Sequence, residues 1–278
     1  MRLANERASV RVPATTANMG PGFDSFGMAF RYYDEVEVRP VAGATHVRVE
    51  GVGEGVVPTG DDNLVVRALR AGLDAVGAPQ AGFEMRCVNR IPHGGGMGSS
   101  ACAAVAGLML ARGLLSEPQA LSDDEVFLIA TRFEGHPDNV APAVFGGATV
   151  AWMEADGKPR AAPMPVDGTL PVSLLVPPPA TRLSTEEARE VLPDSVPRAD
   201  ALFNTSRAAV LMLALAGRPD LLMAGTEDRL HQEYRRGVLP ASTAVMDSLR
   251  AQGYPAVISG AGPTVLVLAN VAQQTRFT

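Results

Sequence analysis

The residues best suited to bind an anion form one glycine-rich segment of the chain. It lies between a strand-like and a helix-like stretch and reads Pro92-His93-Gly94-Gly95-Gly96-Met97-Gly98-Ser99-Ser100-Ala101. Glycines let the backbone approach an anion closely, and the N–H groups at a helix N-terminus point at it with a favourable dipole. The segment therefore predicts a phosphate-binding loop that a bulky side chain at Gly96 or Gly98 would block. A plain glycine turn with serine caps is the alternative.

This loop differs from two widespread nucleotide-binding motifs. A Walker A loop requires a lysine after its last glycine, and no lysine follows Gly98. The glycines also lack the G-x-G-x-x-G spacing of a dinucleotide fingerprint. The N-terminal region also lacks a dinucleotide fingerprint that is followed, about 20 positions later, by an acidic residue. The sequence therefore disfavours a dinucleotide-dependent enzyme.

Two further segments gather small and polar residues into short turns. The first follows a strand-like stretch near the N-terminus and reads Ala14-Thr15-Thr16-Ala17-Asn18-Met19-Gly20-Pro21-Gly22-Phe23-Asp24. The second is a glycine loop between two strand-like stretches near the C-terminus and reads Ile258-Ser259-Gly260-Ala261-Gly262-Pro263-Thr264. Asn and Asp also bond to nearby backbone in ordinary turns, so a purely structural role for Asn18 and Asp24 stays open.

The elements that must position these turns alternate between strand and helix patterns. Apolar spacing predicts strands at Ala8–Pro13, Glu35–Val38, Phe83–Ile91, Val172–Val176, Ala256–Ser259 and Val265–Leu268, and helices at Asp61–Val76, Ala103–Leu115, Ala201–Ala216 and Asp228–Arg235. A capping box at Ser122–Glu125 predicts a further helix that ends near Glu134, and a short helix is expected from Ser184. The stretch Trp152–Leu170 is rich in Pro, Gly and charge, so we expect the boundary between two domains there.

Composition narrows the classes of partner. The chain has 278 residues and a net charge of −6, and Lys158 is its only lysine. This balance disfavours nucleic acid as a partner. No apolar run is long enough to span a bilayer, and no signal core is present near Met1, so we expect neither a membrane protein nor an exported one. Two cysteines, Cys87 and Cys102, cannot form a disulfide framework, which fits the cytoplasm, and we interpret both as small core residues.

The three turns, in this order, resemble the three motifs of the kinase superfamily named for galactokinase, homoserine kinase, mevalonate kinase and phosphomevalonate kinase. The middle motif of that superfamily, Pro-x-x-x-Gly-Leu-Gly-Ser-Ser-Ala, is matched from Pro92 to Ala101 with Met97 in place of Leu. Within the superfamily the chain is most similar to the homoserine kinase family, over roughly residues 8 to 268. The segments that carry this resemblance are 17–24, 134–142, 184–189 with Leu192-Pro193, and 233–235.

The resemblance implies an α+β fold of two domains with the active site in the cleft between them. Residues 1–168 would form an N-terminal mixed α/β domain that binds ATP, and residues 169–278 a C-terminal ferredoxin-like domain. A terminal helix and strand usually follow the third motif in this superfamily. Only ten residues follow Leu268 here, which predicts a second domain without its edge, through truncation of the sequence or true shortening.

The activity implied by the resemblance is ATP- and Mg²⁺-dependent phosphorylation of the hydroxyl of L-homoserine to O-phospho-L-homoserine, in threonine biosynthesis. The alternatives are a kinase of another small hydroxylated metabolite on the same fold and a non-catalytic ligand-binding relative. The latter would be expected to lack Glu134 or the serine pair, and both are present. A homodimer is left open.

The resemblance also implies roles for individual residues, each weighed against a structural one. The expected catalytic residues are Asn18, Asp24 and Asn139. The expected substrate-binding residues are Asn18, Asp24, His136, Thr185, Arg189, Arg235 and Gly260. The expected nucleotide-binding residues are Asn63, Pro92, His93, Gly94, Gly95, Gly96, Met97, Gly98, Ser99, Ser100, Ala101 and Cys102, and the expected Mg²⁺ ligands are Ser99 and Glu134. The structural alternatives are a helix N-cap for Asn63, a solvated helix face for Arg189 and a loop histidine without a task for His136.

Overall fold

The computed structural model describes residues 2–178 and 185–269. Their strands are β1 (Ala8–Asn18), β2 (Gly22–Val41), β3 (His46–Gly51), β4 (Gly82–Asn89), β5 (Ala148–Met153), β6 (Pro159–Met164), β7 (Ser173–Leu175), β8 (Ala256–Ile258) and β9 (Val265–Val267). Their α-helices are α1 (Leu64–Ala75), α2 (Ser99–Leu114), α3 (Asp123–Glu134), α4 (Val140–Phe145), α5 (Thr185–Glu190), α6 (Arg198–Leu215), α7 (Leu222–Gly225) and α8 (Pro240–Ala251). Short 3₁₀ helices lie at Pro118–Ala120 and Pro219–Leu221.

The long strand β2 organises the first sheet. One of its edges pairs with β1, while its other edge pairs with β4 along the C-terminal half and with β5 near the start. The order is β3-β4-β2-β5-β6, and β3 and β4 run parallel because α1 crosses between them. The turn that joins β1 to β2 therefore projects from one end of this sheet, where it carries Asn18 and Asp24.

Helices α1 and α2 pack closely against each other beside this sheet. A Cβ added to Gly107 in α2 would lie 2.2 Å from the Val65 carbonyl oxygen, so only glycine permits this approach. Leu69 and Leu108 are fully buried in the same cluster. The predicted helices over 61–76 and 103–115 are confirmed within these bounds, and Asn63 caps α1 by accepting the Val65 N–H at 3.0 Å.

The second part of the chain contains a small antiparallel sheet of order β7-β9-β8. It shares a hydrophobic cluster with the first part, because Met19 and Phe26 pack among residues that include Leu211, Val257 and Leu266. The predicted mixture of helix and sheet in two parts is confirmed. We place the domain boundary near residue 168, between β6 and β7, as a proposal.

One local prediction is wrong. Residues 228–235 form bends and turns rather than a helix. The Asp228 carboxylate accepts the N–H groups of Leu230, His231 and Gln232 as at a helix start, but the carbonyl groups that follow accept mainly from the third residue on, which gives turns. The stretch 152–170, where we expect the domain boundary, contains the strand β6, which pairs with β5. The expected helix start at Ser184 and the segment after residue 269 lie outside the described residues. No helix in the described part of the chain is long and apolar enough to cross a membrane.

Candidate active site

The three turns singled out by sequence meet at one place. The backbone hydrogen bonds that join them are Thr15 N–H to Met97 O at 3.1 Å, Gly260 N–H to Ala17 O at 3.1 Å and Thr264 N–H to Gly95 O at 3.3 Å. The Ser259 hydroxyl adds a bond to the Gly96 carbonyl oxygen at 2.6 Å. Because each turn is bonded to another, the fold holds the three segments as one rigid wall.

The glycine loop uses its carbonyl groups for this wall and leaves its N–H groups free. Within residues 2–178 and 185–269, no backbone N–H from Gly94 to Ala101 donates to a protein acceptor. Helix α2 begins at Ser99, as predicted, and its N-cap Gly98 offers no side-chain cap. A run of free donors at a helix N-terminus is the arrangement that binds phosphate.

Gly96 and Gly98 have a second reason to lack side chains. Their φ angles are +72° and +67°, and a Cβ would lie 2.3 Å from Ser259 O at Gly96 and 2.0 Å from Thr15 Oγ1 at Gly98. The clash is with the protein itself rather than with a bound nucleotide. The expectation that bulk here blocks nucleotide entry therefore needs correction: bulk would first disrupt the wall.

A cavity of about 360 Å³ lies in front of the loop. Among the predicted nucleotide-binding residues, its lining includes Asn63, His93, Gly94, Gly95, Gly96, Met97, Gly98, Ser99, Ser100 and Cys102, together with the apolar residues Val36, Val49 and Val57. Pro92 and Ala101 do not line it; Ala101 is fully buried. An apolar chamber that opens onto free N–H groups suits a base joined to phosphates.

Two of these lining residues also have structural tasks. Both polar atoms of the Asn63 amide form hydrogen bonds: Oδ1 caps α1, and Nδ2 donates to Pro58 O at 2.8 Å. The Cys102 thiol is buried and donates to Val12 O at 3.5 Å. Burial raises the pKa of the Cys102 thiol well above its ordinary value and that of the Cys87 thiol to about 12, and the charge on Asp34 adds to both. Both thiols are therefore unreactive core groups, as expected.

Glu134 ends α3 beside the start of α2. Its carboxylate accepts a hydrogen bond from the Ser100 hydroxyl at 2.8 Å. Burial raises the pKa of this carboxyl group, against the lowering effects of Ser100 and the nearby His136. Ser99 lines the cavity, but its hydroxyl has no hydrogen-bond partner among the described residues. Glu134 thus contacts Ser100 here rather than Ser99, the serine predicted to share a metal ion with it.

His136 and Asn139 follow in the loop that leads into α4. The His136 Nδ1 atom lies 2.5 Å from Asp138 Oδ1, and the same oxygen accepts the Asn139 N–H at 2.8 Å. Burial lowers the pKa of His136, but the hydrogen bond and charge of Asp138 outweigh it and raise the pKa overall. The Asn139 Oδ1 atom accepts the Thr15 hydroxyl at 2.9 Å, which ties this loop to the first turn.

The first turn holds three non-glycine residues in the left-handed region. The φ angles are +67° at Asn18, +51° at Met19 and +54° at Asp24. Asn18 secures this shape because its Nδ2 donates to Gly260 O at 2.9 Å and its Oδ1 accepts the Asp24 N–H at 3.0 Å. Such strained residues cluster where a fold must present particular side chains. Here the side chain presented is the Asp24 carboxylate.

Arg189 reaches Asp24 from the second part of the chain. Its two terminal nitrogens donate to the two carboxylate oxygens at 3.0 and 2.6 Å, so the pair is bidentate. Both side chains stay more than one-third exposed. The alternative of a merely solvated helix face for Arg189 does not hold, because its guanidinium group pairs with Asp24.

Arg235 is the second cation of this region and is almost fully buried, with 1% exposure. It donates to the carbonyl oxygens of Ala188 at 3.0 Å and Gly260 at 3.2 Å, and lies 3.1 Å from His231 Nδ1. In the part of the chain that the structure describes, no carboxylate lies within ion-pair distance of it. Burial, and then the charge of Arg189, lower the pKa of Arg235 to about 10. A buried guanidinium without a counter-ion favours binding of an anionic ligand.

Sequence reasoning missed two residues at this site. Phe23 lies beneath both guanidinium groups, 5.7 Å from that of Arg189 and 5.5 Å from that of Arg235, and it stacks on His231 with ring centroids 5.0 Å apart. The only available signal for His231 was its position four residues before Arg235. The predicted residue Thr185 begins α5, but its side chain lies outside the described part.

Comparison with known proteins agrees with this geometry. Residues 63–147 match the GHMP kinases N terminal domain and residues 210–276 the GHMP kinases C terminal domain. A homoserine kinase of Clavibacter michiganensis is 50% identical over 94% of this chain and 82% of its own length. A homoserine kinase of Streptomyces coelicolor is 49% identical over 94% of this chain and 84% of its own length.

Solved structures show the same fold. The crystal structure of homoserine kinase from Cytophaga hutchinsonii has a TM-score of 0.82 and 25% identity, covering 96% of this chain and 86% of that one. The crystal structure of L. major mevalonate kinase in complex with R-mevalonate has a TM-score of 0.72 and 18% identity, covering 98% of this chain and 90% of that one. With both kinase domains matched and half of the residues shared with curated relatives, the chain belongs to the homoserine kinase family of the GHMP kinases.

Proposed function

We propose that this chain transfers the γ-phosphoryl group of ATP to the side-chain hydroxyl of L-homoserine, giving O-phospho-L-homoserine for threonine biosynthesis. The observation that carries the proposal is that Gly260 joins two binding regions. It lines the cavity beside the glycine loop, and its carbonyl oxygen accepts from both Asn18 and Arg235. A phosphate-binding backbone and a buried cation therefore lie side by side, and the similarity to homoserine kinases supports the same substrates.

The ATP phosphates are assigned to the N–H groups from Gly94 to Ala101. These groups have no protein acceptor in the described residues, so an anion loses no existing hydrogen bond when it binds. The apolar walls of the cavity at Val36, Val49 and Val57 are assigned to the base. Pro92 and Ala101 do not line the cavity and are assigned to support of the loop, whereas Met97 lines it.

The site fits a Mg²⁺ ion that is held partly by the nucleotide. Among the described residues no cluster of three or more His, Cys, Asp or Glu could hold a metal alone. Mg²⁺ commonly takes one or two protein ligands and completes its shell with phosphates and water. Burial raises the pKa of Glu134, so a neighbouring cation would favour its ionised form. Glu134 and the unpartnered Ser99 hydroxyl are the assigned ligands, and the bound ion would neutralise charge on the phosphates.

The charges of homoserine match those of the substrate region. Asp24 and Arg189 satisfy each other, and Arg235 lacks a carboxylate partner among the residues described. A zwitterion with its ammonium group at Asp24 and its carboxylate between Arg189 and Arg235 would replace one ion pair with contacts to all three groups. Phe23 forms the floor under both arginines. His136 and Asn139 are assigned to the hydroxyl end, and Thr185 stays a prediction.

The transfer proceeds without a strong general base in this proposal. Phosphoryl transfer through a loose transition state depends mainly on alignment and charge neutralisation. The Asp24 carboxylate already accepts two N–H groups of Arg189, so its oxygens orient substrate rather than remove a proton. The homoserine hydroxyl oxygen forms the new bond to the γ-phosphorus as the bond to ADP breaks. Its proton passes late to a phosphoryl oxygen.

A phosphoryl-transfer assay with ATP and Mg²⁺ tests the proposal. The acceptors are homoserine, serine, threonine and mevalonate, together with 3-aminopropan-1-ol, which lacks the carboxylate, and 4-hydroxybutanoate, which lacks the ammonium group. Homoserine should have the highest kcat/KM, and the last two should be poor acceptors. Homoserine binding without turnover would favour a ligand-binding relative, and a better alcohol acceptor would favour another metabolite kinase. Cytoplasmic location, homodimer formation and the absence of nucleic-acid partners stay predictions.

A further inference from the structure

The buried Arg235 is held in place only by neutral groups of the described chain. Its contacts are the carbonyl oxygens of Ala188 and Gly260 and the Nδ1 atom of His231. A guanidinium group has only N–H donors, so each of these three atoms must act as an acceptor. The histidine is the one side chain among them, and it alone can be changed by mutation without rebuilding the backbone.

The hydrogen bonds of His231 define its tautomer. A guanidinium N–H points at Nδ1, so Nδ1 must carry a lone pair. The other ring nitrogen, Nε2, lies 2.7 Å from the Gly20 carbonyl oxygen, which can only accept, so Nε2 carries the hydrogen. Both contacts are satisfied by one species, the neutral imidazole protonated at Nε2. Complete burial lowers the pKa of His231 and outweighs the raising effect of the Asp228 carboxylate, whose Oδ2 lies 3.6 Å from Nε2, so the net direction agrees with the neutral form.

Contacts to both the ring and the backbone of His231 fix this residue. Its ring stacks on Phe23, and its backbone N–H donates to the Asp228 carboxylate at 3.1 Å. Its partner Gly20 belongs to the first turn, where φ is +87° and a Cβ would lie 2.9 Å from Thr226 O. His231 therefore links the turn that carries Asp24 to the arginine that faces it.

We propose that His231 is a positioning residue for substrate recognition: as a neutral imidazole it holds the Arg235 guanidinium at a fixed distance from the Asp24 turn without supplying a counter-charge. A carboxylate at this position would form an ion pair with Arg235, and a shorter polar side chain would not reach Gly20. The spacing between the two sites for the substrate's carboxylate and ammonium groups is thereby set. The inference rests on the proposed homoserine site.

Two isosteric variants separate the two hydrogen bonds. In His231→Asn the amide oxygen replaces Nδ1, so the acceptor for Arg235 is kept and the donor to Gly20 is lost. In His231→Gln the amide nitrogen replaces Nε2, so the donor is kept and the acceptor is lost. We expect His231→Gln to raise the KM for homoserine about 10-fold or more. The increase in His231→Asn should be several-fold smaller than the increase in His231→Gln. The KM for ATP should change less than about 2-fold in both.

The carboxylate-free acceptor 3-aminopropan-1-ol shows whether His231 acts through Arg235. His231→Gln should lower kcat/KM for homoserine but leave the low kcat/KM for this amino alcohol nearly unchanged. His46→Gln, at an exposed position in β3, is the matched control and should match the wild type with both acceptors. Equal losses with the two acceptors, or equal effects of the Asn and Gln variants, would show that His231 only supports folding and would overturn the inference.

Arg235→Ala separates this inference from the proposed function. An unchanged KM for homoserine in Arg235→Ala would remove the carboxylate site and the role of His231 with it. A large increase in Arg235→Ala together with an unaffected, folded His231→Gln would remove only the role of His231. Nitrogen-15 NMR of the wild-type imidazole adds a test that needs no variant. It should report hydrogen on Nε2 at neutral pH, and a hydrogen on Nδ1 would contradict the arrangement.

Discussion

The two ends of the cleft use different parts of the polypeptide. At the end assigned to the nucleotide, the left-handed positions in the loop are glycines, and the proposed binding groups are backbone N–H donors. At the end assigned to homoserine, the left-handed positions are Asn18, Met19 and Asp24, and the proposed binding groups are side chains. Strained non-glycine backbone costs about 1–3 kcal/mol per residue and persists only where surrounding bonds enforce it. The first end therefore depends on absent side chains, and the second on individual side-chain atoms.

The largest expected effect of a single change lies at the nucleotide end. Gly98→Val introduces a Cβ 2.0 Å from Thr15 Oγ1 at a φ of +67°. We expect the free energy of unfolding, measured by urea denaturation, to fall by roughly 3 kcal/mol or more through overpacking and backbone strain.

Gly147→Val is the matched control for Gly98→Val. Gly147 has a similar φ of +62°, but a Cβ there has no neighbour within 4 Å. The free energy of unfolding of Gly147→Val should fall only by the cost of the left-handed backbone, about 1–2 kcal/mol. Equal losses in the two variants would mean that the wall formed by the three turns does not exclude a side chain at Gly98.

The next largest effect is expected from removing the charge of Glu134 at the nucleotide end, in comparison with removing that of Asp24 at the homoserine end. Glu134→Gln removes the charge assigned to the metal ion, so kcat at saturating substrates should fall by roughly 100-fold or more and the Mg²⁺ concentration required should rise. Asp24→Asn keeps the shape and removes the charge that pairs with Arg189. It should raise the KM for homoserine while leaving a readily measurable kcat.

Steady-state kinetics of both carboxylate variants at several Mg²⁺ concentrations provide the measurement. A fall of about 10⁴-fold or more in kcat for Asp24→Asn exceeds what loss of a positioning group explains and reaches the upper range for general-base removal. Such a result would show that Asp24 abstracts the proton, and the base-free mechanism would have to be abandoned.

A smaller difference is expected between the two arginines of the homoserine end. Arg235→Ala should cost roughly 2–4 kcal/mol in kcat/KM for homoserine, because the substrate carboxylate is left buried without its partner. Arg189→Ala should cost roughly 1–2 kcal/mol, since its guanidinium group is partly exposed and also pairs with Asp24.

The control for both arginines is Arg236→Ala. Arg236 is a neighbour of Arg235 in sequence, but its ion pairs are with Glu233 and Asp247. Its kcat/KM for homoserine should stay near that of the wild type, and the KM for ATP should be unchanged in all three variants. A larger loss for Arg189→Ala than for Arg235→Ala would reverse the assigned importance of the two cations.

The difference between the two ends also explains how much the sequence could predict. The glycine loop, the start of α2 at Ser99 and the capping role of Asn63 follow from local residue types, and the structure agrees with them. The bidentate pair of Asp24 and Arg189 joins residues 165 positions apart, which no local pattern encodes. The segment 228–235 is predicted as a helix, but its backbone bonds join mainly residues three apart and form turns, a difference that local residue types do not reveal.

The smallest expected effect concerns the pH dependence of stability at the junction of the two ends. His136 lies close to Asp138, which is only 2% exposed, and the net effect of their contact is to raise the pKa of His136 from its ordinary 6.5. A histidine with a raised folded-state pKa stabilises the fold below its unfolded-state pKa and loses this contribution as pH rises through the folded value. The stabilisation should therefore be present in full near pH 6 and decline above it.

His136→Gln keeps a polar side chain but cannot carry the charge. The measured quantity is the excess in free energy of unfolding of the wild type over this variant. This excess should be larger at about pH 6 than at about pH 8 by on the order of 1 kcal/mol, the size of one charged hydrogen bond. Urea denaturation at both pH values measures the difference, with His46→Gln controlling for loss of an exposed imidazole. If the advantage of the wild type instead grew with pH, the buried Asp138 would be holding a neutral His136. The contact would then be an ordinary hydrogen bond, and a neutral imidazole would be the form that faces the substrate hydroxyl.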